Sequence, residues 1–211
     1  MRRCAVSAIG RDRPGIVAAV TRILLDLGAN IEDSQMAILR GHFSMMLVVA
    51  LPENAETDAG DDRLARLREQ LAGVGDELGL EAISAGPIAD LEGNGAGTGV
   101  ATAAGVATAA GGAGAGGGAA GTGSSPSHIL TVYGADHPGI VHTVSAALAK
   151  REISITGLET KLAGDAEPLY VMSIEIAAAG ADATELREAL EATAAEAGLE
   201  LSLRELEDTA L

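Results

Sequence analysis

Apolar and polar positions follow one pattern twice along the chain. In the first copy an apolar run (Cys4–Ile9) leads into a helical spacing in which Ile16, Val20, Ile23, Leu24 and Leu27 share a face. An extended segment opens at Asn30-Ile31, and then Phe43, Met45, Leu47, Val49 and Leu51 alternate as on a half-buried strand. A second helix is predicted over Asp61–Leu78, stopped by Gly79, with a short strand over Leu80–Ala85. The second copy runs Ile129–Tyr133, a helix carrying Ile140, Val144, Ala147 and Leu148, an opening at Ser154-Ile155, and alternation at Tyr170, Met172, Ile174 and Ile176. It closes with a helix over Asp182–Ala197, the stop at Gly198, and a strand over Leu199–Leu206. Hairpin turns are expected at Gly41 and over Gly164–Pro168, the second loop being three residues longer.

The order βαββαβ, twice, predicts an α+β fold of two ferredoxin-like modules. Each would be a four-stranded antiparallel sheet with two helices on one face. On the uncovered face stand Ser44, Met46, Val48 and Ala50, and in the second copy Val171, Ser173, Glu175 and Ala177. The Met46/Val48 pair is compatible with an interface or with scattered exposed apolar residues.

Between the copies the pattern vanishes. Residues Gly93–Gly123 comprise thirteen glycines, eleven alanines, four threonines, two valines and one asparagine, with GVATAA repeated in succession. Side chains this small cannot offset the entropy of ordering them, and no Lys-Ser/Thr follows to make a phosphate loop. The expected organisation is a module over 1–90, a flexible linker over 91–126 and a module over 127–211. A linker of that length lets the modules pair within one chain or exchange between chains.

Composition narrows the function. The net charge of −16, with 30 acidic and 14 basic side chains that do not cluster, argues against direct binding to nucleic acid. Aromatics are 1% of the chain, so the cores must be aliphatic. A single cysteine, Cys4, excludes an internal disulfide and a cysteine-based zinc site. With no signal-peptide pattern and no strongly apolar span, the expected location is cytoplasmic, without membrane contact. No nucleophile–base pair, metal-ligand spacing or cofactor motif is visible, so no catalytic residue, metal or cofactor is expected. His42, His128 and His137 read as exposed or strand-edge residues, and His142 lies on a helix.

One motif stands out. Gly10-Arg-Asp-Arg-Pro-Gly-Ile-Val17 returns as Gly134-Ala-Asp-His-Pro-Gly-Ile-Val141, offset by 124 residues. It sits where a strand turns into a helix: proline suits a first helical turn, Asp12 or Asp136 could cap it, and Gly15 or Gly139 permits close approach. A single copy of the turn reads equally as a well-capped helix start or as a site whose N–H groups and dipole favour a carboxylate, and its recurrence in the same context favours the site.

Together with Gly28-Ala-Asn-Ile-x-Asp33, this motif resembles the ACT domain, a family of small-molecule sensors, over residues 2–88 and 127–207. Two tandem modules with nothing else are similar to the glycine cleavage system transcriptional repressor group. The resemblance implies an amino acid such as glycine or serine held between paired modules, homo-oligomerisation, and a protein partner that reads the change. Carried over by position, the ligand-binding residues are Asp12, Arg13, Pro14, Gly15, Ile16, Asn30 and Ile31, and Asp136, His137, Pro138, Gly139, Ile140, Ser154 and Ile155. The amide of Asn30 can both donate and accept, which marks the first copy as the better sensor. The alternatives are a regulatory subunit of a separate enzyme and a structural adaptor with degenerate sites.

Overall fold

The computed structural model describes residues 2–52, 59–88, 126–163, 169–178 and 180–206. The hairpin loop at 164–168 and all but the last residue of the expected linker lie outside the described residues. Period-two runs become strands and period-3.6 runs become helices, in the order β1 (Arg2–Arg11), α1 (Ile16–Asp26), β2 (Asn30–Leu39), β3 (His42–Leu51), α2 (Ala59–Leu78) and β4 (Ala82–Pro87). The second module repeats it as β5 (His128–Ala135), α3 (Ile140–Ala149), β6 (Ser154–Ala163), β7 (Leu169–Ala177), α4 (Ala183–Glu196) and β8 (Glu200–Glu205).

The two modules join edge to edge. Their strands form one antiparallel sheet in the order β4-β1-β3-β2-β6-β7-β5-β8, with β2 and β6 paired from Ser34↔Thr160 to Ala37↔Gly157. Pairing therefore occurs within the chain. The helices bury the alternating faces: Val6, Leu47, Val49, Leu130, Met172 and Ile174 are fully covered, together with Leu24 and Leu148 from α1 and α3. Each such side chain contributes about 1.5–3 kcal/mol on leaving water.

The duplication is a twofold relation in space. Gln35 pairs with Glu159 at the centre of the β2–β6 junction. Above it the hydroxyls of Thr21 (α1) and Ser145 (α3), 124 residues apart, lie 3.4 Å from each other. Residues at the sequence offset thus meet themselves on the axis. The same local irregularity interrupts both inner strands, between Ile31 and Asp33 and between Ile155 and Gly157.

On the uncovered face Met46 is 58% exposed, but Ala50, expected there as a surface residue, is buried. Ala50 lies opposite Arg3 on one neighbouring strand and Asn30 on the other, and the Arg3 guanidinium meets Glu32 at 2.6 Å.

Candidate functional site

Both motif turns are built alike. Gly15 (φ 93°) and Gly139 (φ 100°) occupy the N-cap positions in left-handed conformations that disfavour a Cβ. The upstream glycines answer a different need, since a Cβ at Gly134 would lie 2.4 Å from Leu199. No side chain caps either helix, which corrects the expectation that Asp12 and Asp136 do so. The helices also start at Ile16 and Ile140, leaving Pro14 and Pro138 in the preceding turn, exposed and outside both clefts. The first-turn N–H groups, without intrahelical partners, remain available for an acceptor.

The aspartates turn instead toward the opposite module. Asn30 at the start of β2 donates from Nδ2 to Asp136 Oδ2 at 2.8 Å. At the equivalent place Ser154, the first residue of β6, sets its hydroxyl beside the Asp12 carboxyl. Burial raises the pKa of Asp12 above its usual value, and the Ser154 hydroxyl partly offsets this.

Two composite clefts result, each joining one module's turn to the other's strand opening. The grouping by copy, Asp12 with Asn30 and Asp136 with Ser154, is therefore corrected. The first cleft combines Asp12, Arg13, Gly15 and Ile16 with Ile155 and Ile153 of the second module. The second combines His137, Gly139 and Ile140 with Asn30 and Ile31 of the first module. His137 is half-buried in that wall rather than a freely exposed turn residue. His142 ties α3 to α1, its Nδ1 3.1 Å from the Ala18 carbonyl oxygen. As closed here, each cleft has room for about one water molecule.

The clefts differ in ways the motifs do not disclose. A Cβ on Gly139 would meet Leu25 Cδ1 at 3.1 Å, whereas one on Gly15 would meet only the small Ala149, at 3.9 Å. Met36 and Phe43 line the first cleft; their counterparts by position are Thr160 and Tyr170, of which Tyr170 lines the second. Tyr170 is 1% exposed, and burial raises its phenol pKa strongly, with the negative charge of Asp136 adding to the effect. In the sequence Tyr170 has the pattern of an ordinary core position; only the contrast between wall residues across the offset sets it apart.

Among the described residues no group of three or more His, Cys, Asp or Glu is gathered to hold a metal, and no helix is long and apolar enough to cross a membrane. Two ferredoxin-like modules sharing one sheet, each presenting a glycine turn to its neighbour, define a tandem module protein with paired interface clefts. ACT domain models match residues 3–83 and 128–195, and the chain belongs to the ACT domain family. It is 42% identical over 83 residues to a UPF0237 protein of Methanopyrus kandleri, covering 39% of this chain and 86% of that relative. It is also 42% identical over 52 residues to the glycine cleavage system transcriptional repressor of Escherichia coli, covering 25% of this chain and 27% of that protein. Among solved structures, an unknown protein from Galdieria sulphuraria aligns over 97% of this chain and 98% of its own, at 27% identity and a TM-score of 0.37.

Proposed function

We propose that this chain is a non-catalytic regulator that takes up an amino acid, such as glycine or serine, in the clefts between its modules and passes the change to a partner protein controlling amino-acid metabolism. The observation that carries this reading is the Asn30–Asp136 bond: the motif turn of one module is held by the strand opening of the other. Each cleft offers an uncapped helix start for a carboxylate, and an aspartate is at hand for an ammonium group: Asp12 lines the first cleft, and Asp136 is bonded to Asn30 in the wall of the second. Membership of the ACT domain family supports small-ligand regulation, and the stretch shared with a transcriptional repressor supports the kind of partner. The clefts are too tight for an amino acid as they stand, so occupancy must move the helix pair or the turns. A ligand that prefers the moved arrangement shifts the population toward it, and a partner can read the difference.

Thermal denaturation of the full chain against the standard amino acids at millimolar concentration tests this. A ligand at a hundred times its Kd adds about 2.7 kcal/mol, which raises the midpoint by roughly 5–10 °C for a chain of this size. Glycine or serine should do so, and Asn30→Ala should remove much of the effect. No shift with any amino acid would refute the proposal.

A further inference from the structure

Four buried polar atoms cluster on one side of the module interface without a hydrogen-bond partner: Asp136 Oδ1, Tyr170 OH, Thr160 Oγ1 and Ser34 Oγ. Tyr170, Thr160 and Ser34 are 1%, 0% and 3% exposed. The cluster is contiguous. Asp136 is bonded through its other oxygen to Asn30 and acts electrostatically on Tyr170. The Thr160 hydroxyl neighbours the Tyr170 phenol without a hydrogen bond of good geometry, and Ser34 lies directly opposite Thr160 across the β2–β6 pair. Folded proteins rarely leave one such group unpaired, and four together call for a polar occupant. The equivalent places around the other cleft are apolar: Phe43 stands for Tyr170, Met36 for Thr160 and Leu158 for Ser34. Twofold-related backbones thus surround unlike chemistry.

Resting on the amino-acid reading above, we propose that the Asp136 cleft is the selective site. It takes an amino acid whose side chain carries a hydroxyl or carboxamide, recognised by Tyr170, Thr160 and Ser34, while the Asp12 cleft gives no such selection. An ammonium group satisfies the free carboxylate oxygen of Asp136. The hydroxyls of Tyr170, Thr160 and Ser34 can each donate or accept, so they match a side-chain hydroxyl or amide. An aliphatic side chain would leave all three unpaired, and glycine has nothing to reach them. Leu25, which packs against Gly139, must swing aside on entry.

Calorimetric titration of the full chain with serine, threonine, glycine, α-aminobutyrate and valine tests the assignment. Serine or threonine should bind at least about tenfold more tightly than α-aminobutyrate or valine, the loss expected for one unmet buried hydrogen bond. Tyr170→Phe and Thr160→Val are near-isosteric, keep the core filled, and should each erase most of that preference. Phe43→Leu and Met36→Leu, in the other cleft, should leave it intact. Binding of glycine or valine as tightly as serine, or a preference indifferent to Tyr170→Phe and Thr160→Val, overturns the assignment but leaves amino-acid sensing standing. Absence of binding by all five, with no response in the wider amino-acid screen, overturns both.

Discussion

Gly15→Ala and Gly139→Ala make the same chemical change at equivalent turns, yet the new methyl groups meet different neighbours. Both residues sit at positive φ, 93° and 100°, where an L-residue loses roughly 1–2 kcal/mol. At Gly15 the methyl finds Ala149 at ordinary contact distance, 3.9 Å, so the backbone strain is the whole cost. At Gly139 it stands 3.1 Å from Leu25 Cδ1, and the leucine must give way within the module interface, adding about 1 kcal/mol. Thermal midpoints should therefore fall by roughly 2–8 °C for Gly15→Ala and by about 2–4 °C more for Gly139→Ala. Leu25→Ala supplies the control: combined with Gly139→Ala it should cost less than the sum of the two single changes, because the crowding is gone. Combined with Gly15→Ala it should be additive. Equal losses at the two glycines, or additivity of Leu25→Ala with Gly139→Ala, would refute the unequal filling of the clefts.

Two further outcomes follow from buried titratable groups. The folded chain holds the Asp12 proton more tightly than the unfolded chain does, so this group favours folding below about pH 4 and loses that contribution as pH rises through its raised pKa. Asp12→Asn should accordingly match or exceed the parent in thermal midpoint at pH 7, with the gain shrinking as pH falls through the raised pKa and gone below about pH 4; a clear loss at pH 7 would show that the carboxylate is held by contacts stronger than the Ser154 hydroxyl. Cys4 is fully covered in β1 and burial pushes its thiol up to about 11, so a disulfide reagent at pH 8 should label it at least about a hundredfold more slowly in the native chain than in urea. Stoichiometric labelling of native protein within minutes would contradict that placement.

Local structure was legible because local physics writes it. The alternation from Phe43 to Leu51 and the helical face of Ile16, Val20, Ile23 and Leu24 reappear as buried faces, and Gly79 and Gly198 follow the helices they were expected to stop. The motif marks the right turns but not their partners. Asp12 and Asp136 have the chemistry of helix caps; the left-handed glycine that ends each turn takes the capping place itself and leaves the carboxylates facing across the interface. That crossing pairs residues of different modules, and no periodicity within either module encodes it. Tyr170 and Thr160 were hidden for a related reason, since each occupies an inward position of an alternating strand and only the opposite wall shows that it is unusual.

The axis through Gln35/Glu159 and Thr21/Ser145 has a genetic consequence. In a symmetric dimer of identical subunits, every substitution at the interface appears twice, so both sites improve or fail together. Here the two halves of the dyad are written by separate codons. Leu25 can change without Ala149, and Thr160 without Met36. One cleft is thus free to become a plain hinge surface while its twin is tuned, and a single substitution can silence either one alone.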